Sequence, residues 1–386
     1  MTVPLSVLDL SPVPVGGTPA DALRNTLDLA RAAERAGYLR YWVAEHHLVP
    51  GVASSSTSVL VAHLAAATST IRVGSGAVQL PHTAPIQIAE QFGTTAALYP
   101  GRVDVGLGRF DLQKILAIAA RGSGKPGSGA APPPARVVDG LLIPQPAGFI
   151  GDLSQFVALA GLLGITEDSP PQDYHRQVAD VLSYVDGTAT AAGVPLTVLP
   201  AHGADVDVWV LGSSAGTSAE VAGALGLPFA ASYHTVPHTV LETVAAYREA
   251  FRPSARLARP HVMVSADVVV AGTDARARDL AAPYGEWVLD IRAGRGAQPY
   301  RTPEQARART WTDAERAGVA DRVDTQFVGS PATVADGLET LVRATGADEL
   351  LVTTITTEHA DRVASHELLA AEWSRRGAVV GAGAAR

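Results

Sequence analysis

Glu45, His46 and His47 stand together directly after the apolar run Tyr41–Ala44. An imidazole exchanges protons near neutral pH, and a carboxylate beside it can fix which ring nitrogen carries the proton. The triplet therefore suits proton transfer or substrate contact, with His46 and Glu45 as its catalytic members. Two other readings fit the same residues. Both residue types ligate metals, and a histidine can simply close a strand end. Successive strand residues point to opposite faces, so an ion would need a third ligand from elsewhere. The spacing offers none, and no metal is expected. His63, His82, His202, His261 and His366 have no spacing partner and read as structural or exposed.

A second cluster, Gly212-Ser-Ser-Ala-Gly-Thr-Ser218, lies between an apolar run and a helix signal. Small residues let the backbone approach an anion, and the free N–H groups at a helix start point toward it. Ordinary capping needs one hydroxyl, whereas Ser213, Ser214, Thr217 and Ser218 supply more than that. Phosphate binding is the expected use, with Gly216 giving backbone access. Arg109 closes VDVGLG, and its planar fork suits phosphate oxygens; a surface ion pair is the alternative. The turn VGSGAVQLP, with Gly74 and Gly76, suits a flat ligand lying against backbone. GKP within Gly122–Pro134 is no phosphate loop, because Pro126 stands where Ser or Thr should hold magnesium.

These residues need elements to hold them. Leu5–Leu10 reads as a strand, followed by a helix with Thr18 as N-cap, Pro19 at its first position and Gly37 as its C-terminal stop. Strands at Tyr41–Ala44, Ile71–Val78 and Val103–Leu107 alternate with helices at Ser58–Ala67 and Ala84–Leu98. After a looser region with a helix at Tyr174–Val185, strands follow at Val206–Leu211, Pro228–Ala231, Val262–Val270 and Glu349–Thr353. Helices at Ser218–Leu225, Val236–Ala250, Ala275–Ile291, Ala332–Thr345 and His359–Arg375 separate or follow them; the stretch before Phe327 reads as irregular. Eight strands alternating with helices predict an α/β fold, a (β/α)8 barrel with insertions at its C-terminal face. The insertions fall at about 110–170 and 294–326 of a single 1–386 barrel domain. Strand ends then carry the function, which adds Ser232, Tyr233, His234, Thr353 and Thr354 to the residues at the mouth.

Composition narrows the chemistry. The chain has 386 residues, 47% hydrophobic and 18% charged, enough apolar material for a large core. It has no cysteine, which removes disulfides, thiolate nucleophiles and iron–sulfur ligation. Lys114 and Lys125 are its two lysines, so arginine supplies the fixed positive charge. A net charge of −8 speaks against nucleic acid. The N-terminus lacks a basic n-region and no apolar run spans a bilayer, so a cytoplasmic protein without membrane contact is expected.

The stretch from Ala36 to Arg109, together with LGSSAGTSAEVAGALGLPFAAS and FVGSPATVADGLETLVRATGADELLVTT, resembles the luciferase-like flavin monooxygenase family. The resemblance implies a barrel that uses reduced FMN, supplied by a separate flavin reductase, and dioxygen to oxygenate a small organic substrate. It places His46 beside the flavin, Ser75, Gly76 and Ala77 against the ring system, often through a non-proline cis peptide, and Arg109 with Ser214–Ser218 at the phosphate. It also implies a homodimer and, in some relatives, a place in antibiotic biosynthesis. Gly108 departs from bacterial luciferase, which has a reactive cysteine there. A coenzyme F420-dependent oxidoreductase of the same fold is the alternative, with Arg292, Arg295 and Arg301 for its acidic tail. A non-catalytic flavin-binding relative and a metal-dependent hydrolase complete the alternatives.

Overall fold

The computed structural model describes residues 2–109, 133–147, 158, 160–166, 169 and 172–383. Most of Gly122–Pro134, and both lysines, lie outside them. Eight strands form the barrel: β1 (Leu5–Asp9), β2 (Arg40–Val43), β3 (Arg72–Gln79), β4 (Val103–Gly108), β5 (Val206–Gly212), β6 (Phe229–Ser232), β7 (Val262–Val270) and β8 (Glu349–Thr353). Each pairs in parallel with the next, and β8 returns to β1, so the sheet closes without a free edge. The expected (β/α)8 barrel is the observed fold.

The outer helices arise from the signals read in the chain. In α1 (Pro19–Ala36) the Thr18 hydroxyl accepts from the Asp21 N–H, and Gly37, at φ 85°, ends the helix in the left-handed conformation. Behind it stand α2 (Thr57–Ala67), α3 (Pro85–Leu98), α4 (Tyr174–Asp186), α5 (Thr217–Ala224), α6 (Val240–Ala250), α7 (Pro331–Thr345) and α8 (His359–Gly383). The single helix expected over Ala275–Ile291 is two, Asp274–Ala281 and Tyr284–Arg292, because Pro283 cannot donate to the ladder and starts the second piece. The stretch expected to be irregular holds three short helices, Pro303–Ala308, Asp313–Ala317 and Ala320–Val323. Two of them begin in capping boxes, Thr302 with Gln305 and Thr312 with Glu315.

Charge fills the N-terminal end of the barrel. Arg40 donates from Nη1 to Asp104 Oδ2 at 2.8 Å and from Nε to Glu349 Oε1 at 3.2 Å. Arg72 reaches Asp104 Oδ1 at 2.6 Å, and Ser6 donates to Glu349. Asp104 and Glu349 are fully buried. Trp42 donates its indole N–H to Asp104 at 2.9 Å and meets Trp209 edge-on at 5.2 Å. The Arg40 guanidinium lies 4.9 Å over the Trp209 ring.

Above this layer the interior becomes apolar and runs into the second insertion. Leu8, Trp42, Trp209, Met263 and Leu351 share one cluster with Tyr284, Trp287, Tyr300 and Val319. Backbone bonds seat that insertion: Gly51 N–H to Ala297 O at 2.8 Å and Tyr300 N–H to Val13 O at 2.9 Å. A Cβ on Gly51 would lie 2.2 Å from the Gln298 carbonyl oxygen, so this close approach requires glycine.

Two stability predictions follow from these layers. Arg40→Met leaves Asp104 and Glu349 buried with too little positive charge, and is expected to cost about 3–5 kcal/mol. Urea unfolding reads this as a lower midpoint at unchanged slope, and a shift below about 1 kcal/mol would contradict it. His366 is 1% exposed, packs edge-on to Tyr38 and has no hydrogen-bond partner on either ring nitrogen among the described residues. Burial pushes its pKa down to about 3. The unfolded histidine takes its proton near pH 6.5, before the folded one, so stability is lost as pH falls below 6.5 toward 3. This histidine contributes a slope of at most about 1.4 kcal/mol per pH unit. Midpoints measured from pH 7 to pH 5 should fall less steeply in His366→Leu; an unchanged slope would refute the assignment.

Candidate active site

The C-terminal strand ends form the mouth, and Asp9 anchors the loops of β1 and β2. Burial disfavours the Asp9 carboxylate, yet Arg362, Tyr41 and the Ser11 N–H together hold it below its ordinary pKa. Tyr41 donates at 2.5 Å and Ser11 N–H at 2.7 Å, with Arg362 paired on the same carboxylate. Ala44 N–H then bonds Asp9 O, and His46 N–H bonds Ser54 O, both at 2.9 Å. The backbone around His46 is thus fixed on both sides.

Glu45 does not spend its hydrogen bonds on His46. Its Oε1 lies 3.0 Å from His47 Nε2 and 3.0 Å from His82 Nε2, and the two rings meet at 5.2 Å nearly perpendicular. His82 therefore has a partner, contrary to the expectation that it stood alone. It ends the 3-10 turn Leu80–His82 after β3, a position that no spacing rule connects to residue 45. His46 feels Glu45 only through space. Burial pushes its pKa down to about 4, Glu45 opposes the fall and His47 adds to it. Its Nδ1 is buried and has no hydrogen-bond partner among the described residues.

His234 follows β6, which stands opposite β2 in the ring of strands. Its Nδ1 lies 2.5 Å from Ser265 Oγ. Burial pushes its pKa down to about 3, with Arg322 and His46 adding to the effect, so the two histidines share one electrostatic neighbourhood. Arg322 comes from the second insertion and donates to Tyr284 Oη at 2.7 Å beside buried Asp267. The Thr353 and Thr354 hydroxyls at the end of β8 are buried and have no hydrogen-bond partner among the described residues.

The phosphate-type cluster is assembled from three elements. Gly216 precedes α5, and no side chain caps the helix. Ser213 and Ser214 are half-buried in the loop, while Ser218 is buried in the first turn. Tyr174, the first residue of α4, donates to Leu107 O at 3.0 Å. Burial raises its pKa, and a hydrogen bond with Ser218 and the charge of Arg109 oppose the rise. Arg109, Tyr174 and the start of α5 therefore converge. Uncapped N–H groups beside an arginine are the donor set a phosphate takes.

The β3 segment carries the turn expected to face a flat ligand. The Gly76–Ala77 peptide is cis, as the resemblance implies. Ser75 is fully buried, and its hydroxyl accepts from Gly106 N–H at 3.0 Å and donates to Gly106 O at 3.1 Å, so it serves the β3–β4 pairing. A Cβ on Gly74 would meet Asp104 O at 2.5 Å, and one on Gly76 would meet Leu8 at 2.9 Å. Backbone contact makes Gly74 a requirement of the barrel interior, and Gly76 packs closely against it. At Gly108 a Cβ would lie 3.0 Å from the Ala77 Cβ, so a cysteine there would press on the turn at Ala77.

Among the described residues, polar atoms without a hydrogen-bond partner at His46, Thr353 and Thr354 lie at one side of the mouth, and the start of α5 and Arg109 lie at the other. The luciferase-like monooxygenase family profile matches residues 3–121 and 175–349. A luciferase-like monooxygenase of Escherichia coli K12 is 36% identical over 367 residues, 95% of this chain and 96% of that protein. The crystal structure of apo-MsnO8 superposes with a TM-score of 0.75 at 32% identity, covering 97% of this chain and 98% of the other. At 19% identity and TM-score 0.62, the oxygenating constituent of a 3,6-diketocamphane monooxygenase, solved with FMN, shares the fold over 96% and 98%. This chain belongs to the luciferase-like monooxygenase family.

Proposed function

We propose that the protein is a monooxygenase that takes reduced FMN from a separate reductase and uses dioxygen to oxygenate a small organic substrate at the barrel mouth. The observation that carries the reading is the convergence of Arg109, Tyr174 and the uncapped start of α5 on the β4–β5 side, with His46 at the end of β2. The first group takes the phosphate and the second lies where the flavin ring would end. When bound, reduced flavin supplies the electrons that activate oxygen.

The chain's own part is to bind, orient and exclude water. His46 Nδ1 is the atom that exchanges a proton with the reacting group, since no partner among the described residues competes for it. Glu45, engaged with His47 and His82, holds the loop on which His46 sits. Trp287, Tyr300 and Val319 continue the barrel interior over the mouth and keep it dry.

An F420-dependent reaction is the weaker reading because the arginines that would meet its acidic tail are already paired. Arg292 forks onto Asp321 at 2.6 and 2.7 Å, Arg295 holds Asp290 at 2.6 Å, and Arg301 holds Asp290 at 2.7 Å and Glu286 at 3.1 Å.

Anaerobic titration should give tighter binding for reduced FMN than for reduced F420; the reverse order would sink the proposal. His46→Ala is expected to keep FMN affinity within about threefold while lowering turnover on the order of 10²–10⁴-fold. Steady-state kinetics on a substrate found by screening checks this, and unchanged turnover would leave His46 without a catalytic role.

A further inference from the structure

We propose that Glu45 Oε1, His47 Nε2 and His82 Nε2 form a binding site for a divalent first-row transition-metal ion beside His46. The three atoms lie within 4.8 Å of one another, with both Glu–His separations at 3.0 Å. Ligands at 2.0–2.2 Å from a tetrahedral ion stand about 3.3 Å apart, so an ion needs each Glu–His separation to open by only a few tenths of an ångström. Two imidazoles and a carboxylate are a donor set for zinc, cobalt or nickel, and an all-oxygen ion such as magnesium or calcium would find no match in it.

The site is built, not assembled from surface groups. The side chains of Glu45 and His82 are 6% and 8% exposed, whereas His47 is 27% exposed and gives an ion its way in. His82 Nδ1 has no hydrogen-bond partner among the described residues, so the ring can carry its proton there when an ion displaces the Nε2 proton that now faces Glu45. Three protein ligands leave a fourth position for water. Glu45 and His47 flank His46 in sequence, and His82 belongs to the turn after β3. A bound ion therefore ties the β2 loop to the β3 turn and fixes the backbone of His46 from both sides.

Metal-stripped, tag-free protein titrated with ZnCl2 should bind one ion per chain by calorimetry. Zinc in excess should raise the melting temperature by about a few degrees over the chelated protein. CoCl2 should give the visible absorption of a low-coordinate cobalt site. His82→Ala and His47→Ala are expected to weaken binding at least about tenfold. Glu45→Gln, which still offers the histidines an acceptor, should do the same if the variants above fail to fold. His46→Ala should keep the stoichiometry of one. Absence of zinc binding at about 100 µM, or binding that survives loss of His47 and of Glu45 alike, overturns the proposal.

Discussion

The molecule depends on the buried charge layer that closes the base of the barrel. Arg40 stands between Asp104 and Glu349, carboxylates without access to water, and Arg72 shares the first of them. Buried carboxylates are tolerable only when ion pairs and hydrogen bonds replace their hydration. Satisfying them ties β2, β3, β4 and β8 together at one end. Trp42 is held by the same Asp104, and the Arg40 guanidinium lies over Trp209. The aromatic layer that supports the mouth is thus positioned from below by charge.

The mouth repeats the device at smaller scale. Asp9, buried and held ionised by Arg362 and Tyr41, fixes the ends of β1 and β2. Glu45 then holds two imidazoles from different strand ends. Between these anchors stands His46, whose buried Nδ1 has no hydrogen-bond partner among the described residues. Above it, charge pairs join the insertion to the helix Tyr284–Arg292, Arg292 with Asp321 and Arg295 with Asp290, and apolar side chains of both pack onto the barrel interior.

Much of this was legible in the chain. The strand–helix alternation gave the barrel because parallel strands buried on both faces read as apolar runs, and α1 carried its caps in plain view at Thr18 and Gly37. His46, Arg109 and the serine-rich start of α5 were legible because strand ends are where a barrel keeps its chemistry. The partnership of Glu45 with His82 was not, since it joins loops of two strands 37 residues apart and follows only from barrel closure. Pro283 and the capping boxes at Thr302 and Thr312 did carry local signals, and these outweighed the run of arginines and glycines that suggested irregular chain. Gly74 and Gly76 carry a double signal: small residues that suit a ligand also suit a crowded barrel interior, where an added Cβ would meet Asp104 or Leu8.

The central claim is that the start of α5, with Arg109 beside it, reads the phosphate of a reduced flavin whose ring lies toward His46. Its most direct test is a pair of anaerobic titrations, reduced FMN against reduced riboflavin, on the wild-type chain and on Arg109→Ala. The account predicts that FMN binds the wild type at least about 30-fold tighter, in line with a charge-assisted fork worth about 2 kcal/mol. Most of that margin should vanish in Arg109→Ala. Equal affinity for the two flavins in the wild type, or a preference for FMN that Arg109→Ala leaves intact, would contradict it.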